Sequence, residues 1–183
     1  MSPFFLAQLA LSSLPSADPI ADSGTCYSIA RMRDGESQSI GVAWQDVRHV
    51  QRDGAKVLEV VVHQRGAGGR FDMRDAFVLD EGTLQPIEFE NSRRGQVHVA
   101  LRYGPGSAEG YRIDEGVTRP IKVDLPEPIW EGNLFGVTVA GLPLAEGATF
   151  HLPTFQYDKG IAAFEITVTG SEVVATPEGP VDA

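Results

Sequence analysis

Apolar and polar residues alternate along most of this chain, and this period of two constrains the fold more than any other feature. The clearest runs are Val97–Tyr103 and Phe164–Val168, in which every second residue is apolar. Successive side chains of a β-strand point to opposite faces of its sheet. The alternation therefore predicts strands with one buried face. A third run, Val57–Val62, is apolar at adjacent positions as well, which predicts a strand covered on both sides.

Short turns that contain glycine separate these runs. Pairs such as Asp34-Gly35, Asp53-Gly54 and Arg94-Gly95 supply the positive φ angles that a tight hairpin requires. They recur about every 10 to 15 residues, a spacing typical of consecutive antiparallel strands and not of strands joined by helices. The sequence therefore predicts a mainly all-β fold, a meander of antiparallel strands.

One segment departs from the period of two. Trp130, Leu134, Val137 and Gly141 fall at helical spacing, and Pro128 precedes them at a position that favours a helix start. We expect one short helix here, packed across a face of the sheet or placed at an open end of it.

The length of 183 residues suits one domain. We divide it into a lead-in, residues 1–20, and a single antiparallel β domain, residues 21–183. Residues 176–183 are expected to form a turn that leads into another strand, which leaves open whether the sheet lacks its last strand.

The lead-in itself has two interpretations. Residues 1–17 contain an apolar run that ends in Pro15-Ser16-Ala17, similar to the small-residue site at which a secretory signal is cleaved. They lack the basic start of a full signal. The segment is therefore either an export signal or an apolar stretch that packs on the domain.

Charge and composition exclude several classes of function. The formal net charge is −10, which argues against binding nucleic acid or docking electrostatically on anionic lipid. No stretch has the roughly 18 consecutive apolar residues of a transmembrane helix. The single cysteine, Cys26, is expected to be a small buried side chain at the start of a strand. We expect no metal and no cofactor, because the four histidines lack a recognised ligand spacing.

No catalytic motif is present, so we expect a protein that is not an enzyme. The weak exception is the acidic region around Asp72 and Asp75, since paired carboxylates across a cleft can hydrolyse glycosides. Alternating charges along one strand also explain these residues as a solvated face.

Four side chains are candidates for binding an apolar ligand: Trp44, Trp130, Leu134 and Phe135. A curved sheet crossed by a helix can leave an apolar cavity, and aromatic residues commonly line such cavities. The alternative is that the same side chains simply fill the core.

Several short motifs resemble those of a family of secreted bacterial domains of unknown function, over most of the chain from Tyr27 onward. They are Tyr27–Gly35, Asp80–Pro86, Glu88–Ser92, Trp130–Leu134, Gly141–Gly147 and Leu152–Phe155. That family is similar in architecture to the half-barrels of lipoprotein carriers and receptors of the LolA/LolB type. The resemblance implies a strongly curved antiparallel sheet around an apolar concavity, a periplasmic or secreted location, and an acyl or other apolar ligand.

Three functions remain as hypotheses. The first is a non-catalytic extracytoplasmic domain that holds a lipid or other apolar ligand inside a half-barrel. The second is a structural or interaction module of the cell envelope, with a solid core and an open edge for a protein partner. The third is a hydrolase that uses Asp72 and Asp75.

Overall fold

An eight-stranded antiparallel sheet dominates the computed structural model, which describes residues 14–176 and 179–182. Its strands follow one another in chain order. They are β1 (Ser23–Arg33), β2 (Glu36–Arg52), β3 (Ala55–Gly66), β4 (Asp72–Asp80), β5 (Pro86–Arg93), β6 (Gln96–Gly104), β7 (Ser107–Asp114) and β8 (Val117–Asp124). The sheet is open, because β1 and β8 do not pair with each other. The predicted fold class, a mainly β meander with one short helix, is confirmed.

The hairpin turns explain why the strands meander. Five of the connections in this sheet are two residues long, and in four of them both residues have positive φ, as in Asp34 and Gly35 (52° and 84°) or Arg94 and Gly95 (51° and 77°). Such turns twist in the same sense as the strands that they join, so each strand folds back beside its predecessor.

The rest of the chain returns across this sheet. It forms β9 (Trp130–Glu131), a 3₁₀ turn (Gly132–Leu134), α1 (Phe135–Ala140), β10 (Thr149–Gln156) and β11 (Gly160–Thr167). The strand β10 lies between β11, to which it is antiparallel, and β9, to which it is parallel. A separate hairpin follows, made of β12 (Val173–Thr176) and β13 (Gly179–Asp182).

The two faces of the large sheet have different roles. We call inner the face that carries Phe77, Phe89 and Leu101, which are paired across β4, β5 and β6 and are at most 3% exposed. We call outer the face that carries their neighbours, such as Ala76 and Ala100.

The inner face is filled by the protein's own side chains. The contributors from the returning segment, all in the same buried cluster as the inner face, are Trp130, Leu134, Val137, Leu142, Phe150, Leu152 and Phe155. Each large side chain buried in this way contributes about 1.5–3 kcal/mol. The core therefore lies between the large sheet and the segment that returns over it.

The described part of the lead-in packs on the domain. Pro15 and Ala17 are fully buried. The Ser16 amide donates to the Gly141 carbonyl at 2.9 Å, and the Ala17 amide donates to the Glu81 carbonyl at 2.8 Å. Residues 14–17 thus share backbone hydrogen bonds with the helix end and with the β4–β5 turn. The remainder of the predicted lead-in, residues 1–13, lies outside the described residues.

The edge strand β1 is exposed along almost its whole length. Cys26 lies in this strand and is exposed, so the prediction of a buried thiol is wrong. The reason is its position, since Cys26 pairs with Trp44 and therefore points from the outer face, which the returning segment does not cover.

None of the helices in the described part of the chain combines the length and the apolar character that crossing a bilayer needs.

Candidate functional site

A groove with a volume of about 550 Å³ crosses the outer face of the large sheet, over the central strands β3 to β7. Its floor is apolar and is formed by Val61, Ala76, Val78 and Ala100. The volume lies within the roughly 300–1,000 Å³ that small-molecule sites occupy. The groove is therefore large enough to hold a ligand.

Strand register explains why there is space here. Ala76 pairs with both Val61 and Glu90, and Glu90 pairs in turn with Ala100. All of these side chains project from the outer face, because paired residues of antiparallel strands point the same way. The side chains of Ala76 and Ala100 are short, so this row of paired residues leaves a depression in the outer face at β4 and β6.

Charged side chains border the floor and are mostly paired with one another. The Arg52 guanidinium lies 3.2 Å from the Glu88 carboxylate and 3.8 Å from that of Glu59. Arg102 lies 3.3 Å from Glu88 on its other side. This side of the groove is a network of partly exposed ion pairs.

Arg74 and Glu90 also line the groove but take part in none of the ion pairs that the described residues form around it. Both are half-buried. In the strand register, Arg74 of β4 lies opposite Ser92 of β5. The Ala76–Glu90 pair is two residues further along the same two strands. The two charges are therefore diagonal neighbours on adjacent strands.

Two aromatic side chains stand on the same outer face. Tyr111 lines the groove at β7, and it is 38% exposed. Trp44 is also 38% exposed and contacts the ring of His63, with ring centroids 5.7 Å apart. His63 is paired with Arg74 across β3 and β4, so Trp44 lies in the row next to the groove.

A second polar cluster is buried beneath the inner face, around Glu131 of β9. This side chain is 3% exposed. It accepts hydrogen bonds from the Tyr103 hydroxyl at 2.8 Å and from the Asn133 side-chain amide at 3.0 Å. Burial raises the pKa of Glu131 to about 7, although these hydrogen bonds act in the opposite direction. Burial also raises the pKa of Tyr103, and the Glu131 carboxylate adds to that effect.

Asp75 and Asn91 extend this buried cluster along the inner face. The Asn91 amide donates to the Asp75 carboxylate at 2.6 Å, while its own buried oxygen has no partner among the described residues. Burial raises the pKa of Asp75.

The sequence of residues 26–183 matches the model of one family, described as "Protein of unknown function (DUF3108)". The chain belongs to this family. A search of the curated proteins finds no match, and a search of the solved structures finds none either.

The DUF3108 domain separates the four side chains that the sequence nominates for ligand binding. Trp130 and Leu134 are 1% and 3% exposed and belong to the core, where the Trp130 indole donates to the Thr83 carbonyl at 2.9 Å. Phe135 is 41% exposed and packs against Phe164, with centroids 4.6 Å apart. Trp44 lies on the opposite face of the sheet. The structure does not bring these residues together in one cavity.

Asp72 and Asp75 are also separated, because they point to opposite faces of β4. Asp75 faces the buried cluster, whereas Asp72 accepts a hydrogen bond from the His63 ring at 2.6 Å on the outer face. That hydrogen bond lowers the pKa of Asp72. The two carboxyl groups therefore do not flank a common cleft.

Among residues 14–176 and 179–182, no three His, Cys, Asp or Glu side chains come together in a way that could hold a metal ion.

Sequence reasoning missed both Glu131 and the groove. Glu131 follows Trp130 in a segment for which the sequence predicts a helix, where a glutamate is ordinarily exposed. The one available signal for the groove was the occurrence of alanine at position 76 and again at position 100, in strands otherwise rich in large residues.

Proposed function

We propose that this DUF3108 domain is a non-catalytic binding domain of the bacterial cell envelope that holds an elongated amphipathic ligand in the outer groove. The observation that carries the proposal is the groove itself, with its apolar floor at Ala76 and Ala100 and its charged border. An apolar floor with a few convergent polar groups is typical of ligand sites.

The ligand position differs from the one that a half-barrel interior would offer. The inner face is closed by Trp130, Leu134 and Phe155, so an acyl chain there would have to displace the core. Opening a packed core in this way costs several kcal/mol. The outer face needs no such displacement.

The charges of Arg74 and Glu90, which lie beside the apolar floor, favour an amphipathic ligand over a purely apolar one. A hydrocarbon laid in the groove would cover the half-buried Arg74 and Glu90 without providing hydrogen-bond partners. Burying a charge without a partner is costly. A ligand with an apolar stem and a polar head contacts both kinds of surface.

The extracytoplasmic location rests on the resemblance to secreted bacterial domains and to LolA/LolB-type carriers, together with the apolar run of residues 1–17. Carriers of that type bind acyl chains, which is consistent with an amphipathic ligand. The net charge of −10 argues against a function on nucleic acid.

The test is native mass spectrometry of the protein after export to a bacterial periplasm, followed by organic extraction and lipid analysis. We expect a co-purifying amphiphile on the native protein. The variant Ala100→Phe places a ring on the groove floor and should bind it at least about tenfold more weakly. Ala163→Phe, on the exposed strand β11, is the matched control and should bind normally.

Equal ligand loading of Ala100→Phe and the native protein would contradict the proposed site. A ligand-free mass for the native protein, together with no binding of added single-chain amphiphiles, would contradict the function. Thermal unfolding of both variants separates lost binding from lost folding.

A second candidate function, protein interaction, is favoured by β1, one edge of which pairs with no other strand in the described part of the chain. This strand has eleven residues and no proline, whereas the opposite edge strand, β8, contains Pro120. Proline on an edge blocks pairing with another strand, so β8 is protected and β1 is open. A second copy fits the β1 edge, because antiparallel pairing brings the end with Arg31 and Arg33 close to Asp22 of the other chain.

Sedimentation over a range of concentrations tests this candidate. Replacing the exposed Met32 of β1 with lysine should abolish any self-association, since charge on an edge prevents pairing. The same change at exposed Val117 of β8 should have no effect. A native protein that remains monomeric at every concentration would exclude β1 pairing.

A further inference from the structure

The charges that line the groove do not all compensate one another. Three arginines and four glutamates contribute to its lining. Arg52 and Arg102 are paired with Glu59 and Glu88, as described above. The Glu109 carboxylate pairs with Lys122 of the neighbouring strand. Arg74 and Glu90 are left without an ion-pair partner among the described residues.

These two side chains stand at the apolar floor and not at the solvated border. Glu90 pairs in register with Ala76 and Ala100 on its two sides, and Arg74 is two residues from Ala76 along β4. Diagonal neighbours of this kind are about 7–8 Å apart at their Cα atoms. One cation and one carboxylate therefore lie side by side, unpaired, in the middle of the groove.

The surroundings would select a ligand by its charge. With three positive and four negative side chains, the groove lining has a formal charge of −1. A purely anionic head group would approach Glu90 and Glu88 as well as Arg74, and a purely cationic one would approach Arg74. A neutral head group would satisfy neither unpaired charge.

We propose that the groove recognises a zwitterionic single-chain amphiphile, with its phosphate or carboxylate at Arg74 and its ammonium group at Glu90. A guanidinium can bind a phosphate or a carboxylate through two parallel hydrogen bonds. An ammonium group offers three donors to a carboxylate such as Glu90. The chain of the ligand then covers Ala76, Val78 and Ala100. This inference rests on the proposed function and adds the chemical class of the ligand.

The experiment measures the affinity of the full chain for four single-chain amphiphiles whose hydrocarbon chains have the same length. They are lysophosphatidylethanolamine, lysophosphatidylglycerol, a monoacylglycerol and an alkylamine, which are zwitterionic, anionic, neutral and cationic. We expect the zwitterionic compound to bind at least about tenfold more tightly than each of the others, because it alone pairs with both charges.

Single substitutions then test which part of the head group Arg74 and Glu90 each recognise. Arg74→Gln should reduce the affinity for lysophosphatidylethanolamine about tenfold or more and leave that for the monoacylglycerol unchanged. Glu90→Gln should remove the preference for the ethanolamine head group over the glycerol one. Arg70→Gln, at an exposed position outside the groove, is the matched control and should behave as the native protein does.

The possible results separate this inference from the function on which it rests. If all four amphiphiles bind the native protein equally, or if Arg74→Gln keeps the zwitterionic preference, the inference is overturned and the groove remains a binding site. If none of the four binds, both fail. A thermal unfolding midpoint within the range of the control shows that each variant is folded.

Discussion

Glu131 gives this domain a pH dependence that one substitution should remove. The side chain lies in the core beneath the inner face, and burial raises its pKa from 4.5 to about 7. Between these values the folded protein holds a proton on Glu131 that the unfolded chain has released. The free energy of unfolding therefore falls as pH rises through this window, and it is constant with respect to this group outside it.

The size of the effect follows from the two pKa values. One pKa unit corresponds to about 1.4 kcal/mol, so a pKa raised from 4.5 to about 7 is worth roughly 3 kcal/mol. Glu131→Gln keeps the shape and the hydrogen-bonding capacity of the protonated acid and cannot ionise. We expect the stability of the native protein relative to Glu131→Gln to fall by roughly 3 kcal/mol between pH 4.5 and pH 7.

The assay is urea unfolding of both proteins at several pH values from 4.5 to 8. The difference between them is the useful quantity, because other groups titrate in the same range. His49, for example, has a pKa raised by its hydrogen bond to Asp22, so its contribution is present below pH 6.5 and is lost as pH rises further. It is common to both proteins. A stability difference that does not change with pH would refute the assignment of a buried, protonated Glu131.

Three further substitutions, one of them a control, test the packing around the core. Gly141→Ala would place a Cβ atom 2.5 Å from the Ser16 carbonyl oxygen, so it should lower the free energy of unfolding by about 1–3 kcal/mol. Gly136→Ala, within α1 and with open space around it, should instead raise the free energy of unfolding by about 0.5–1 kcal/mol. Equal effects of Gly141→Ala and Gly136→Ala in urea unfolding would contradict the packing of the lead-in. Trp130→Phe loses the hydrogen bond to the Thr83 carbonyl and part of a buried ring. Chemical denaturation should therefore show a free energy of unfolding lower by about 2–3 kcal/mol. A loss below about 0.5 kcal/mol would show that this indole does not anchor the returning segment.

The meander could be predicted from sequence because its signals are local. The pair Asp53-Gly54 encodes a tight hairpin by itself, and Val97–Tyr103 encodes a strand with two unlike faces. Neighbouring antiparallel strands joined by such turns need no long-range information. The helix is predicted only in part by local signals: its existence agrees with the spacing from Trp130 to Val137, but α1 begins at Phe135, and Trp130 lies in β9 instead.

The position of the site could not be predicted in this way. Alternation indicates that a strand has two faces, but it does not tell which face the returning segment covers. That choice depends on contacts distant in sequence, such as the one between Trp130 and Thr83. It puts Trp130 in the core and leaves Trp44 outside on the other face. The packing of the returning segment on one face therefore separates the aromatic candidates, and no local sequence pattern encodes that packing.

The most direct test of the binding site is a nuclear magnetic resonance titration of the isotopically labelled protein with lysophosphatidylethanolamine. Residue-specific shifts report which face of the sheet the amphiphile contacts. We expect the amides of Ala76, Glu90 and Ala100 to shift with ligand concentration while the Trp130 indole signal stays unchanged. Shifts at the Trp130 indole and at Leu134, with none at Ala76 or Ala100, would place the ligand inside the core and contradict the outer groove.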